Sequence, residues 1–225
     1  AGTWLGDGTG LGLDAGYFHL GRRADGVSVH SPNPAAITRP FYAPNLGAEF
    51  GEQVAFPGMA TGGVAASLGR TLWGADVNLR GAVCRTGENQ SGWFAGYRHL
   101  NLDESLAVEA VTAGAGGSAF VRDSFITRNR FHGGQLGWAV ARRAGRFDLD
   151  ARVSVALGVT DQEVSIDGRR ITEPAATTPG GLLAVGPALG RFDRSRFAVA
   201  PEATVNLGCE LSPGVRAFVG YNFLY

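Results

Sequence analysis

The sequence predicts an all-β protein: a transmembrane, antiparallel, up-and-down β-barrel of about 8–10 strands, with short periplasmic turns and long outer loops. Three observations predict it. The run RFDLDARVSVALGV (146–159) puts Phe147, Leu149, Ala151, Val153, Val155, Leu157 and Val159 on one face, and Arg146, Asp148, Asp150 and Arg152 on the other. A period of two held over that length reads as a strand with one oily and one polar face, far longer than the usual ~5–6 residues. Second, turns alternate in length: short at 7–10, 84–91, 143–145 and 212–214, long at 30–63, 112–123 and 168–191. Third, glycine reaches 35 of 225 residues, many inside strand patterns, where it permits curvature and close stacking in a barrel wall.

In chain order, Ala1 to Leu5 reads as the tail of a strand, closed by the turn Asp7-Gly8-Thr9-Gly10. Alternation resumes at Leu11 and runs to about Val29. A loop with Pro32, Pro34, Pro40, Pro44 and Pro57 follows, with room for a short hairpin around Phe41, because prolines at that density forbid a central strand. Val64–Val83 forms the next long strand, and Thr86 to Ser91 returns the chain. The third long strand begins with Trp93, Ala95 and Tyr97, then moves its oily residues to Leu100, Leu102, Leu106 and Val108. Such a parity switch predicts a β-bulge near His99 to Leu102. A Gly-rich loop over Thr112 to Ser118 ends it. Strands Phe125–Arg142, 146 to about Ile166, Arg196–Leu211 and 215–225 complete the pattern, with Pro201 a blemish that fits a bulge.

Bulk properties exclude several classes. Zero formal charge lacks the positive field that nucleic acid requires. All 20 basic residues are Arg, as a GC-rich genome gives, and Arg also suits ion ladders with carboxylates. No apolar run is long enough for a membrane helix. Cys84 and Cys209 belong to no metal motif and read as small buried or wall residues, and His19, His30, His99 and His132 read as scattered rim or interface residues. No catalytic residue, metal site or cofactor site is predicted: the serines lack a nucleophile elbow, and the glycines lack the strand–turn–helix context of a phosphate loop.

Several blocks carry a family resemblance: LGLDAGYFHLGRR (11–23), TRPFYAPN (38–45), TLWGADVNLRG (71–81), GYRHLNLDESL (96–106), DSFITRNRFHGGQLG (123–137), VSVALG (153–158), GRFDRSRFAVAPEATVNLG (190–208) and VRAFVGYNFLY (215–225). Together they resemble a family of outer-membrane β-barrel proteins of planctomycete bacteria, long labelled as a domain of unknown function. The resemblance implies an outer-membrane location and a closed barrel, and transfers no substrate and no catalytic residue. Members of that family usually extend further at both ends. Residues 1–225 are therefore expected to be a single barrel domain lacking one or more N-terminal strands and a short C-terminal piece.

On this reading the inward polar row is Asp76, Asn78, Arg80, Arg98, Gln135, Asp148, Asp150, Arg152, Glu202, Thr204, Asn206, Glu210 and Arg216. These residues either pair across strands as a polar plug or line a narrow passage for small polar solutes, and their mixed signs argue against strong ion selectivity. Trp73, Trp93, Tyr97, Trp138, Tyr221, Phe223 and Tyr225 are the expected membrane-interface aromatics, with core packing in a soluble barrel or sandwich as their alternative. The functional expectation is a passive narrow pore or a structural wall protein. Its alternative is an anchoring or adhesion barrel whose loops 30–63 and 168–191 bind an envelope or extracellular partner. Lipid is the expected partner, with other envelope proteins or further copies of the chain beside it, and no nucleic acid.

Overall fold

The computed structural model describes residues 2–5, 10–31, 35–43, 46–173 and 176–225. The expected turn at 7–9 and Pro32, Pro34 and Pro44 lie outside the described residues. The strands are β1 (Gly2–Trp4), β2 (Leu11–Ser31), β3 (Ile37–Ala43), β4 (Ala48–Ala55), β5 (Ala60–Arg85), β6 (Asn89–Gly114), β7 (Gly117–Ala144), β8 (Phe147–Thr172), β9 (Ala176–Pro179), β10 (Gly190–Ser212) and β11 (Val215–Leu224). A 3-10 turn lies at Gly186–Ala188. The main sheet runs β1-β2-β5-β6-β7-β8-β10-β11, with β9 beside β8, and β3 pairs with β4 in a separate hairpin.

This sheet is open, which corrects the expected closed barrel. Its end strands are β1 and β11, and no ladder joins them among the described residues. The mismatch is physical: β1 offers the three residues Gly2–Trp4, and β11 the ten residues Val215–Leu224. The sheet nevertheless bends. Arg152 on β8 reaches Asp14 on β2 at 3.0 Å, although these strands stand four places apart in the sheet order. A flat sheet would hold them ~19 Å apart, further than the two side chains can span. The polar rows therefore face one another across a trough, while the alternate residues point away from it.

Chain order and sheet order coincide from β5 to β8, so each strand lies beside the one before it in sequence. The strands run longer than their patterned cores. The expected loop over 112–118 shrinks to a tight turn, because β6 reaches Gly114 and β7 restarts at Gly117, whose φ of 118° suits glycine. No bulge occurs near His99 either: the β6 ladders with β5 and β7 run unbroken through His99 to Leu102. The oily residues change face there because the faces themselves change character. Leu100 turns into the trough and, with Ala198, packs against the cluster of Phe131, Ala156 and Ala200. The register shifts of the main sheet lie elsewhere, at Leu20/Arg23, Ala82/Cys84 and Glu210/Ser212.

Pro201 needs no bulge. It stays in register opposite Val155, and its carbonyl accepts from the Tyr225 backbone N–H, so its missing donor falls at the very end of β11. Cys84 is exposed rather than buried, and both cysteines are free.

Candidate functional site

The concave face carries two charged clusters separated by an apolar layer. In the first, Arg98 pairs with Glu202 from β10, three places away, and lies 3.8 Å from Asp76. Arg152 joins Asp14 at 3.0 Å to Asp76 at 3.5 Å, and its guanidinium lies 3.8 Å over the Phe94 ring. Asn78 donates to Asp76 at 2.5 Å and accepts from Gln135 Nε2 at 2.6 Å. Asn222 donates to Glu202 and Thr204. Arg98, Asn78 and Gln135 are buried, so each charge or amide has left water for a protein partner. Glycine lets the rows meet: a Cβ at Gly137 would strike the Phe94 ring, and one at Gly16 would strike the Asp76 carboxylate.

A neighbouring group lies towards the short turns. Arg216 pairs with Asp148 and lies 3.5 Å from Asp150, and Arg143 meets Glu210 at 2.5 Å. Arg80 stacks on Trp4 instead of pairing, its guanidinium carbon 4.1 Å from the ring centroid. Thr204 and Asn206 lie on β10 opposite Arg152 and Asp150 of β8. The thirteen residues of the expected inward row thus share one face, but that face bounds an open trough and not a closed lumen.

The second cluster was largely missed by the sequence reading. The β3–β4 hairpin folds over the far end of the trough. Val54 and Ala55 are buried there, and Arg39 donates to Glu52 at 2.9 Å. Glu52 also accepts from Arg170 at 2.8 Å. Asp123 on β7 is fully buried. Its Oδ1 accepts the backbone N–H groups of Leu182, Leu183 and Ala184 at 2.8–2.9 Å, and Oδ2 lies 3.8 Å from Arg39. Gly181 passes so near that a Cβ would meet this carboxylate. Asp123 therefore holds the 180–189 segment and faces the hairpin at once. Its only sequence signal was a carboxylate in the inward parity of β7. Arg122 and Arg128, grouped with it in sequence, point the other way, to Glu109 (3.3 Å) and Glu163 (3.5 Å).

The convex face is divided by height. On β8 the outward residues Phe147 to Val159 are apolar, after which Asp161 and Glu163 take over. On β10 the same boundary separates Arg191, Asp193 and Ser195 from Phe197 and the apolar positions beyond it. Above the boundary, Arg191 pairs with Glu163 at 2.7 Å and Ser195 donates to Asp161 at 2.5 Å. Along the boundary runs a row of rings: Tyr17 beside Trp73, Trp73 4.8 Å from His99, His99 4.5 Å from His132, and the Tyr97 hydroxyl 2.6 Å from His132 Nδ1. This corrects the reading of the histidines as scattered, since His99 and His132 face one another across β6 and β7. Of the expected interface aromatics, Trp73 and Tyr97 belong to this row. Trp93 and Trp138 sit opposite each other lower on the face, and Tyr221, Phe223 and Tyr225 are exposed on the β11 side.

Among the described residues, no group of three or more His, Cys, Asp or Glu could hold a metal ion. Comparison with curated proteins returned no match. The whole chain, residues 1–225, matches the family described as "Putative beta barrel porin-7 (BBP7)". It belongs to that family. Membership makes this a non-enzymatic protein, and the family's porin name agrees with an outer-membrane context. The open sheet nevertheless corrects both functional expectations: a pore and an anchoring barrel each need a closed transmembrane wall, and β1 and β11 do not complete one.

Proposed function

We propose that this chain is a non-enzymatic protein of the bacterial outer membrane, its convex apolar band resting against lipid and its concave face filled by its own side chains. The observation that carries this reading is the sharp upper edge of the band. From Phe147 to Val159 each outward residue of β8 is apolar, and Leu157 is 52% exposed; at Asp161 the face turns charged. Thirteen residues at ~3.4 Å each, with the ~45° tilt of membrane strands, cover about 30 Å, which suits a hydrocarbon core. The ring row at the boundary has the amphipathic chemistry of a membrane–water interface. In water such a continuous apolar band would be an aggregation surface.

The test is depth-dependent. With protein folded into vesicles, Leu157→Arg should cost roughly 2–4 kcal/mol of folding stability, and Asp161→Arg close to nothing. Brominated lipids should quench the tryptophans, because Trp93 and Trp138 lie within the band. Equal costs at positions 157 and 161, with no quenching, would sink the reading. Self-association has one supporting observation: the outer edge of β11 has no ladder partner among the described residues, and an open edge is a template for pairing.

A further inference from the structure

We infer that the trough holds a binding site for a small organic carboxylate, with Arg80 as its anchor and Trp4 as its wall. This goes beyond the lipid-facing reading and does not depend on it. A cavity of about 350 Å³ lies at the short-turn end, bounded by Trp4, Asp14, Arg80, Phe94, Arg152 and Asn206. That volume falls at the lower end of small-molecule sites, roughly 300–1,000 Å³.

The charge balance inside it decides the ligand's sign. Asp14 is paired with Arg152 at 3.0 Å, a guanidinium it shares with Asp76, and Asp150 at the cavity edge lies 3.5 Å from Arg216, which also pairs with Asp148. Arg80 has no carboxylate partner among the described residues, and its Nε is buried without a hydrogen-bond acceptor. A second guanidinium, that of Arg85, lies 4.6 Å from the same Trp4 ring. Two cations therefore share one indole, and among the described residues no carboxylate pairs with either of them. Stacking on the ring fixes the plane of a guanidinium and leaves its edge free, and that edge matches a carboxylate bidentately.

The backbone is arranged to allow this stack. Gly12 runs beneath it, and a Cβ there would lie 2.8 Å from Arg80 Nε and 3.0 Å from the Trp4 ring. Trp4 and Phe94 offer flat apolar walls, and Thr204 and Asn206 offer neutral polar groups. The chemistry selects a carboxylate on a small flat or apolar body in preference to a compact, strongly hydrated inorganic anion.

The test is calorimetric titration of the full chain in detergent micelles with benzoate and, separately, inorganic phosphate, at fixed ionic strength. Benzoate should bind saturably at one site and more tightly than phosphate. Arg80→Gln should weaken benzoate by about ten-fold or more, and Arg85→Gln and Trp4→Leu by about 2–5-fold each. Arg191→Gln, at the opposite end of the sheet, should leave binding unchanged. If Arg80→Gln fails to fold, Arg85→Gln, whose side chain is on the surface, carries the test. Absence of saturable benzoate binding overturns the site, as does equal affinity in the wild type and both Arg variants. Phosphate binding as tight as benzoate overturns the carboxylate assignment.

Discussion

The two charged clusters of the concave face use the same residue types to opposite ends. In the Arg98–Arg152 cluster each guanidinium meets two carboxylates, and Asp76 is shared by Arg98, Arg152 and Asn78. Removing one member leaves the others partly satisfied. Around Asp123 the wiring converges on one atom, because Oδ1 alone takes three backbone N–H groups. The first cluster ties strands that are already held by ladders. The second ties a loop and a hairpin that have few other bonds to the sheet. Redundant wiring distributes the cost of a lost charge, and convergent wiring concentrates it.

The strongest test of that contrast is Asp123→Ala. It strips three backbone donors, that of Ala184 fully buried, of their shared acceptor and leaves Arg39 with Glu52 alone, so the loss should be about 3–5 kcal/mol. Hydrogen exchange at Leu182, Leu183 and Ala184 should rise with it, while β8 amides outside that end stay protected. Asp123→Asn keeps an acceptor oxygen and should lose less. If Asp123→Ala unfolds at the wild-type urea concentration, the clamp does not hold the cap.

Arg98→Met comes next. Glu202 then keeps only Asn222, and Asp76 keeps Arg152 and Asn78. Because Met restores most of the buried volume, about 1–3 kcal/mol is expected, below the Asp123→Ala value measured in the same urea titration. A larger loss than that of Asp123→Ala would reverse the comparison.

Gly137→Ala probes the same cluster from the backbone. The new methyl would strike the Phe94 ring and the Val153 carbonyl. Phe94 supports Arg152 from below, so the strain should reach the ion network, costing roughly 1–3 kcal/mol. Weakened coupling between Arg152 and Asp14 in a double-mutant cycle would show the strain's route, and an unchanged coupling would confine it to the ring.

These contacts mark how far the sequence could be read. Period two placed Asp76, Arg98, Gln135 and Arg152 on one face, and the strands lie where that pattern put them. Parity does not carry curvature. It cannot show that Arg152 reaches past three intervening strands to Asp14, nor that β1 and β11 stay apart. The supposed bulge near His99 shows the same limit. Leu100 and Leu102 looked misplaced only because both faces were assumed uniform along the strand, whereas the trough turns apolar where the outer face turns polar. His99 and His132 are far apart in sequence and meet because β6 and β7 pair in register, information that a single strand's pattern lacks. Asp123 was absent from the expected inward row, and its partners are backbone amides, which leave no residue-type signal.

The smallest expected effect lies outside the trough. Arg191 pairs with Glu163 at 2.7 Å on the convex face above the apolar band, with its side chain 61% exposed. Glu163 has a second cation, Arg128, at 3.5 Å, so it stays paired when Arg191 is lost, and Asp193, 3.6 Å from Arg191, is exposed enough for water to replace that contact. An exposed, doubly served pair of this kind contributes about 0–1 kcal/mol, and salt screens it. Arg191→Gln should therefore shift the urea midpoint by little, and the residual shift should vanish at high salt. Asp123→Ala should keep its full cost in the same salt series, since burial shields its partners from counterions. If both effects faded together with salt, the distinction between converging buried bonds and exposed redundant ones would not describe this protein.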